Sequence, residues 1–366
     1  MLSKITDFHD QIRIYFYRYN YSLLMKYLLP KTINLQLILT LFSLFICKEL
    51  CGDNIKLIET KKIWNKANHN AFTDLEYFKG HWYCAFREGN SHAGSGDYGK
   101  VRVIKSADGI EWQSVALFSK DKVDLRDAKL SITPNNKLLL NSCEYRVDND
   151  SNLIRNNTSV TFLSSDGNVW SDSNQIADPT FWVWQTTWNK ETGYALGYRW
   201  GEKDMTRLYK TTNGIHYIEH LNHLRPPGDK SNEHALFFGN DDTAHMLLRR
   251  DNPSSSTRSQ ALLGTALPPY QDWEWRRLNV RIGGPSIIQI APNKVIACIR
   301  RYGNGNWTEL GWIDIKKASY EPAIRLPSGG DTSYAGLVWR DMKLWISYYS
   351  SHEGKTSIYL SKAIIE

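Results

Sequence analysis

Short runs of alternating apolar and polar residues, each next to a polar turn, recur along most of this chain. The last copy is the clearest: residues 335–339 are an apolar run, Arg340 and Asp341 a turn, and residues 344–349 a second run that ends in tyrosines. Two such runs around a polar turn are the pattern of a β-hairpin. The pattern occurs six times, with turns at Gly80, Asn136, Glu191, Asp241, Asn293 and Asp341.

The spacing of these turns is nearly constant. Subtracting successive turn positions gives 56, 55, 50, 52 and 48 residues. A period of about 50 residues with several short strands per repeat is typical of a β-propeller. The sequence therefore predicts an all-β fold, a six-bladed β-propeller of four-stranded antiparallel blades. We expect the last apolar run, residues 356–365, to complete the first or the last blade and close the ring.

A second repeat lies late in three of the six modules. The segment from Ser106 through Asp108 and Gly109 to Trp112 recurs at residues 164–170 and, more loosely, at residues 211–217. Asp-Gly or Asn-Gly supplies a tight turn, Ser or Thr binds the local backbone, and the aromatic residue packs between sheets. We expect each copy to form the turn of an outer hairpin. The alternative is a set of unrelated Asp-Gly turns.

Composition and charge narrow the class of ligand. The chain has 366 residues, 42% of them hydrophobic, and the repeat runs unbroken from about Asn68 to the end. One domain is therefore predicted over residues 53–366. The net charge is +7, but lysine and arginine are scattered, with no run that resembles a nucleic-acid arm. An acidic small ligand fits this charge at least as well as a nucleic acid does.

The first 52 residues differ in kind and are interpreted as a leader. A basic start at residues 25–31 precedes an apolar run, residues 33–47, that is short for a transmembrane helix. This pattern predicts a secretory signal peptide and a secreted, periplasmic or cell-surface protein. The alternative is an uncleaved signal anchor, in which case this segment would be the only contact with a membrane.

The cysteines indicate packing more than chemistry. Of five cysteines, two lie in the leader, whereas Cys84, Cys143 and Cys298 lie inside predicted strands, where a small apolar side chain packs well. No Cys/His pair has zinc-site spacing, no glycine-rich phosphate loop follows a strand, and no serine nucleophile elbow occurs in the sequence. We therefore predict neither a metal nor a cofactor.

Arginine recurs where the second strand of a hairpin ends. Five of the six second strands end in or beside arginine: Arg87, Arg146, Arg199, Arg249-Arg250 and Arg300-Arg301. The first strands begin near Asn70, Arg126-Asp127, Trp182 and Trp184, Glu233, Pro285 and Tyr334. Both sets should share one rim of the propeller. Guanidinium groups bind carboxylates through paired hydrogen bonds, so an arginine-lined funnel suits an acidic ligand. The alternative for any one arginine is a solvated charge.

Three features resemble the sialidase superfamily. The Ser-x-Asp-Gly-x-x-Trp repeats are similar to its Asp boxes, also called BNR repeats. Residues 232–249 resemble the segment in which the catalytic glutamate precedes a substrate-binding arginine, here Glu233 and Arg249. Residues 332–349 resemble the segment that carries the nucleophilic tyrosine, here Tyr334. The resemblance implies a retaining exo-glycosidase that cleaves a terminal acidic sugar, sialic acid above all, from a glycan or sialoside.

The resemblance also implies roles for further residues. The acid/base aspartate of the family lies on a loop after the first hairpin, which matches Asp97. The competitor is Asp127 at the rim of the second blade, which is otherwise a candidate for substrate binding. Where the family opens its first blade with an arginine, this chain has Asn70, and Arg87 on the other strand is the replacement. The remaining substrate-binding candidates are Arg126, Arg249 and either Arg300 or Arg301, of which Arg301 is preferred. We expect Arg87, Arg249 and Arg301 to converge on a carboxylate.

Two other functions remain open from the sequence. The first is a carbohydrate-binding propeller without turnover. The second is a hydrolase for a neutral or uronic sugar on the same scaffold, because a shared fold does not settle function.

Overall fold

The computed structural model describes residues 54–93, 96–146, 156–199, 205–226, 229–252 and 259–366. Within these ranges the chain forms β-strands and no α-helix. None of the described residues belongs to a helix with the length and hydrophobicity needed to span a bilayer. The predicted leader, residues 1–52, lies outside the described residues.

The strands form six antiparallel sheets in chain order, preceded by one strand that joins the last sheet. That strand is β1 (Ile55–Trp64). The first blade contains β2 (His69–Phe78), β3 (His81–Gly89), β4 (Lys100–Ser106) and β5 (Gln113–Phe118). The second contains β6 (Asp124–Ile132), β7 (Leu138–Arg146), β8 (Asn156–Ser164) and β9 (Asn174–Gln175). The third contains β10 (Trp182–Val183), β11 (Thr187–Asn189), β12 (Thr192–Arg199), β13 (Met205–Thr211) and β14 (Ile218–Arg225).

The other three blades follow the same order. The fourth contains β15 (Ser231–Phe238), β16 (Ala244–Arg250), β17 (Gln260–Ala266) and β18 (Glu274–Arg281). The fifth contains β19 (Gly283–Ala291), β20 (Lys294–Gly303), β21 (Gly305–Asp314) and β22 (Ser319–Arg325). The sixth contains β23 (Thr332–Arg340), β24 (Lys343–Ser350), β25 (Ser357–Ile365) and β1. The predicted six-bladed β-propeller of four-stranded antiparallel blades is confirmed, with the inner strand of the third blade split into β10 and β11.

Both ends of the described chain close the ring. Strand β25 pairs with β24 on one side and with β1 on the other, with Ile55 opposite Ile365 and Trp64 opposite Ile358. The prediction that residues 356–365 close the ring is confirmed, and they do so in the last blade. No strand was predicted for residues 55–64, because this lysine-rich run has no neighbouring hairpin partner. The closure pairs edges that would otherwise lie open.

The six predicted hairpins are confirmed. Each turn joins the first strand of a blade to the second, as Phe78 opposite His81 and Arg340 opposite Lys343 illustrate. Asn136, Asn293 and Asp341 adopt φ values of 56°, 61° and 51°. Asparagine and aspartate tolerate this left-handed region better than other residues with a side chain, which explains their recurrence at these turns.

The second repeat forms outer turns with one shared geometry. In the first blade, the Ser106 hydroxyl accepts a bond of 2.8 Å from the Gly109 amide, and Asp108 accepts one of 2.8 Å from Ile110. The equivalent residues are Ser164, Asp166 and Gly167 in the second blade, and Thr211, Asn213 and Gly214 in the third. All three glycines have φ of +74°. The three turns join the third and fourth strands of their blades, as expected for outer hairpins.

The same glycines permit close contact between blades. A Cβ atom on Gly109 would meet the ring of Trp345 in the sixth blade, one on Gly167 the ring of Tyr83 in the first, and one on Gly214 the side chain of Leu139 in the second. Each outer turn therefore packs against the second strand of the preceding blade, and only glycine combines that approach with a positive φ.

The three described cysteines are buried free thiols. Burial raises the pKa of Cys84 and Cys298 well above the usual value for a thiol. They fill space in the core, as the sequence predicted.

Candidate functional site

Five of the inner strands are irregular near the rim opposite the six hairpin turns. The pairing register shifts between Ala71 and Asp74, Arg126 and Lys129, Ser231 and His234, Gly283 and Ser286, and Ser333 and Gly336. In the third blade the inner strand is interrupted instead, between β10 and β11. Such β-bulges redirect side chains and are common beside active sites. The residues at the irregularities are Phe72, Asp127, Trp184, Glu233, Gly284 and Tyr334.

Several of these residues have unusual backbone angles. Phe72, Asp127 and Tyr334 have φ of 60°, 54° and 53°, and Gly284 has φ of 50°. A positive φ in a bulky residue is strained and persists only where its surroundings hold it. The Tyr334 ring lies 5.2 Å from that of Phe72 and 5.7 Å from that of Trp184. Rings from the sixth, first and third blades can meet in this way only at the centre of the propeller.

Tyr334 and Glu233 meet at this centre. The Tyr334 hydroxyl donates a hydrogen bond of 2.6 Å to Oε1 of Glu233, and the Gly284 amide donates one of 2.8 Å to Oε2. Burial, followed by the charge of Glu233, raises the pKa of Tyr334 well above its usual value, although Arg249 and Arg300 oppose the shift. The phenol is therefore protonated at neutral pH, with an acceptor already in place.

Arg249 completes this cluster. Its Nη1 atom donates to Oε1 of Glu233 at 2.6 Å and to the Tyr334 hydroxyl at 3.0 Å. Its Nη2 atom lies 2.9 Å from Oδ2 of Asp251. A guanidinium group in this position stabilises negative charge that develops on the tyrosine oxygen.

Arg300, and not Arg301, is the second arginine beside Tyr334. The Arg300 guanidinium lies 4.9 Å from the centre of the Tyr334 ring and donates to the Thr332 carbonyl at 2.8 Å and the Tyr349 hydroxyl at 2.7 Å. Arg301 instead lies 3.1 Å from Glu309. Successive side chains of a strand point to opposite faces, so only one of two adjacent arginines can face the centre. The prediction that Arg301 lies beside Tyr334 at the centre was wrong, and Arg300 occupies that place.

Arg87 and Asp97 belong to a different network. Arg87 is fully buried and donates to Asp124 at 2.7 Å and to the Ser91 carbonyl at 2.8 Å. The Asp97 carboxylate accepts bonds from the Asn90 and Ser91 amides at 2.9 and 2.7 Å. The expected convergence of Arg87 and Arg301 with Arg249 is not found. The guanidinium group of Arg87 is already hydrogen-bonded to Asp124 and to the Ser91 carbonyl, and these bonds hold it away from Arg249.

The pKa of Asp97 is also unsuited to the predicted acid/base role. Burial alone would raise the pKa, but the amide bonds from Asn90 and Ser91 and the charge of Arg87 outweigh it and hold the pKa below its usual value. A carboxylate stabilised in this way is a weak proton donor near neutral pH.

Asp127 has the opposite environment. Its carboxyl is nearly buried, and burial, followed by the charge of Glu233, raises its pKa to about 7. Among the described residues it makes no side-chain hydrogen bond that would hold the ionised form. The charge of the neighbouring Arg126 opposes this shift, but the Arg126 guanidinium lies 2.5 Å from Asp124 and 4.6 Å from the centre of the Tyr145 ring. Of the two aspartates considered, Asp127 is the one whose electrostatics are coupled to Glu233.

Phe72 was missed by sequence reasoning. Asn70, which stands where an arginine was sought, is buried and uses its amide to bond the carbonyls of Ala67 and Thr356 at 2.9 and 2.8 Å. The bulge two residues later brings Phe72 to Tyr334. By contrast, Arg300 could have been found, because aligning Arg249-Arg250 with Arg300-Arg301 selects the first arginine of each pair.

Comparison with known proteins locates the fold. No family model and no curated protein sequence matches the chain. A Dyadobacter fermentans protein of unknown function aligns with a TM-score of 0.72 at 15% identity, covering 86% of this chain and 100% of that one. A Penicillium chrysogenum alpha-L-arabinanase aligns with 0.63 at 11%, covering 83% and 98%. Trypanosoma rangeli sialidase aligns with 0.63 at 10%, covering 84% of this chain and 59% of that one.

At sequence identities of 10–15%, these alignments establish a common fold and not a common function. The chain shares the six-bladed β-propeller fold with this sialidase and this arabinanase.

Proposed function

We propose that the protein is a retaining glycoside hydrolase that removes a terminal acidic sugar, with Tyr334 as the nucleophile. The observation that carries this proposal is the bond of 2.6 Å between the Tyr334 hydroxyl and Glu233 at the centre of the propeller. Tyrosine is a poor nucleophile at its usual pKa near 10 and needs a base within hydrogen-bond reach. Sialidases are the known case in which a tyrosine replaces a carboxylate nucleophile.

The first chemical step uses three side chains. The Tyr334 oxygen attacks the anomeric carbon while its proton passes to Oε1 of Glu233. The bond from that carbon to the leaving oxygen breaks, and Asp127 gives its proton to this oxygen. Arg249 stabilises the charge that develops on the tyrosine oxygen through its bond of 3.0 Å.

The second step returns each group to its starting state. A water molecule attacks the anomeric carbon of the tyrosyl-bound sugar, and Asp127 now accepts the proton of that water. The bond between the carbon and Tyr334 breaks, and Glu233 gives the proton back to the tyrosine oxygen. Attack from opposite faces in the two steps leaves the configuration of the sugar unchanged.

Two arginines favour an acidic substrate. Arg249 and Arg300 both flank Tyr334, and Nη1 of Arg300 makes no hydrogen bond to the described residues. A sugar with a carboxylate on its reacting carbon would place that group between them. The same carboxylate would repel a carboxylate nucleophile, so a tyrosine nucleophile and an arginine pair support the same substrate class.

A hydrolase for a neutral sugar is the second candidate, and Phe72 favours it. An apolar ring occupies the position in the first blade that faces Tyr334, 5.2 Å away. Aromatic faces pack against the apolar surface of a sugar and add no affinity for a carboxylate. A fluorogenic α-sialoside and a matched neutral aryl glycoside, assayed side by side, separate the two candidates. Glycan binding without hydrolysis of either would support the binding protein instead.

The Tyr334→Phe variant tests the mechanism. We expect loss of turnover with an unchanged circular dichroism spectrum and melting temperature. In the parent, a sugar fluorinated beside its anomeric carbon should leave a covalent adduct, which peptide mass spectrometry would locate on Tyr334. A phenylalanine variant as active as the parent would end the proposal.

We also propose that residues 1–52 direct export. Blocking signal peptidase and measuring the mass of the chain would test whether this segment is cleaved.

A further inference from the structure

We propose that His69, His92 and Asp331 bind one first-row divalent transition-metal cation at the rim between the first and the sixth blades. Oδ2 of Asp331 lies 2.8 Å from Nε2 of His69 and 2.7 Å from Nδ1 of His92. The three donor atoms lie within 4.8 Å of one another. The distances from Oδ2 are those of hydrogen bonds. An ion with tetrahedral bonds of about 2.0–2.2 Å needs donor atoms about 3.4 Å apart, so the side chains would have to separate by about 0.7 Å to admit it.

The propeller brings these residues together from distant parts of the chain. His69 begins β2, His92 follows β3, and Asp331 precedes β23. Asp331 is separated from His69 by 262 residues and from His92 by 239. Ligands this far apart in sequence leave no local spacing pattern, which explains why no metal was predicted.

The donor set selects a class of cation. Two imidazoles and one carboxylate suit zinc and its neighbours in the first transition row, whereas calcium and magnesium prefer oxygen ligands. Three protein ligands also leave at least one coordination position for water or a ligand oxygen. The His92 side chain is 51% exposed, so this position would face solvent.

Neighbouring groups orient the ligands. Oδ1 of Asp331, the oxygen not shared by the histidines, accepts a bond of 2.8 Å from the Tyr349 hydroxyl and lies 3.4 Å from Nη2 of Arg300. Partners of this kind hold a metal-binding carboxylate in place. Nδ1 of His69 is buried and has no partner among the described residues. In the structure Nε2 of His69 carries the hydrogen that it donates to Asp331. A cation would replace that proton, and Nδ1 would then carry the hydrogen of the neutral ring.

The cluster borders the candidate active site. The His92 ring lies 4.9 Å from that of Phe72, which in turn lies 5.2 Å from Tyr334. An ion held by His92 would therefore offer its open position at the mouth of the funnel, where an oxygen atom of a bound sugar could occupy it. The metal site does not depend on the proposed hydrolase activity, and its test needs no substrate.

Titration with Zn²⁺ tests the site. The full chain is stripped with a chelator, dialysed, and titrated calorimetrically as the parent and as His92→Ala, Asp331→Asn and His216→Ala. His216 is an exposed histidine in an outer turn and serves as the matched control. Melting temperatures without metal establish that each variant is folded. Because the His92 side chain is half-exposed, its alanine variant should fold even if the variant at the partly buried Asp331 does not.

We expect one Zn²⁺ per chain for the parent and for His216→Ala, with affinity reduced more than about tenfold in the other two variants. Co²⁺ should give a visible spectrum without a sulfur-to-cobalt charge-transfer band, which separates this site from the leader cysteines. Three results would overturn the proposal. They are no Zn²⁺ binding to the parent, the same affinity in His92→Ala as in the parent, or a sulfur-to-cobalt band when a single Co²⁺ ion is bound.

Discussion

Arg87 and Arg249 end the second strands of the first and fourth blades, yet their surroundings differ completely. Arg87 is fully buried, and Asp124, Asp97 and the Ser91 carbonyl take up its donors. Arg249 shares one oxygen of Glu233 with Tyr334. Equivalent positions in a repeat therefore fix the height of a side chain on the propeller. The acids nearby decide whether it supports the blade or faces a ligand.

The largest effect should come from removing the enclosed arginine. In Arg87→Met, Asp124 keeps Arg126 and Asp97 keeps its amide bonds, but both lose the buried guanidinium group, so we expect a loss of up to about 3–5 kcal/mol in the free energy of unfolding. Arg249→Met should lose hydrolysis and much less stability, because Glu233 keeps its bonds to Tyr334 and Gly284. Urea denaturation and assays of the folded fraction measure both. Equal stability losses would erase the distinction between the two arginines.

Replacing Glu233, the carboxylate that pairs with Arg249, by glutamine tests whether this pair acts in catalysis. An amide cannot accept the proton of Tyr334, so kcat should fall by about 10²–10⁴-fold, the range for general-base catalysis. The matched control is Glu309→Gln, which removes the partner of Arg301. Single-turnover kinetics would show the loss in the formation of the covalent intermediate. A Glu233→Gln variant with parental kcat contradicts the assignment of the base.

The two aspartates can be compared through pH. If Asp127 is the acid, kcat/KM should fall as pH rises through about 7, where its carboxyl loses the proton. Asp127→Asn should remove this limb and slow substrates with poor leaving groups far more than activated aryl glycosides, which need no acid. Asp97→Asn should retain the limb. Its persistence in Asp127→Asn would favour another acid.

The raised pKa of Asp127 also predicts the pH dependence of stability. A carboxyl whose pKa is higher in the folded state stabilises the fold below its usual pKa, 3.8, and that contribution is lost as pH rises through about 7. Glu76, with its pKa also raised to about 7 by burial, acts in the same direction. The fall in unfolding free energy between about pH 4 and pH 7 should therefore shrink, but not vanish, in Asp127→Asn.

The smallest effect should distinguish Arg300 from Arg301. Arg300→Lys keeps the charge but loses the planar fork, and should weaken an acidic ligand by roughly 1–3 kcal/mol. Arg301→Lys should leave affinity unchanged, because that side chain lies against Glu309. Inhibition by a stable acidic sugar analogue measures both. If neither variant changes affinity, the neutral-sugar candidate gains support.

Local patterns in the sequence predicted most of the fold. The hairpin turns and the outer Asp-Gly turns follow from residues next to one another, such as Ser106, Asp108 and Gly109, so the blades could be counted before the structure was known. Glu233 and Tyr334 were placed correctly together because both begin an inner strand. Their catalytic roles remain a prediction.

The remaining features depend on direction and distance. Phe72 and Asp127 lie inside strands and not at turns, so the local sequence does not predict their positive φ or the bulges that redirect them. The choice of partners for Arg87 depends on Asp124, which lies 37 residues away on the next blade. The approach of His69 and His92 to Asp331 depends on ring closure.

Ring closure also has a kinetic consequence. Asn54 and Glu366 bond to each other through both backbone groups, at 3.1 and 2.9 Å, so the contact that seals the last blade spans the whole described chain. The entropy lost in closing a loop grows with its length, and pairings of high sequence separation form slowly. We expect the pairing of β1 with β25 to be among the last steps of folding. The contact of His69 with Asp331, at the rim between the first and sixth blades, would then form after the contact of Glu233 with Arg249.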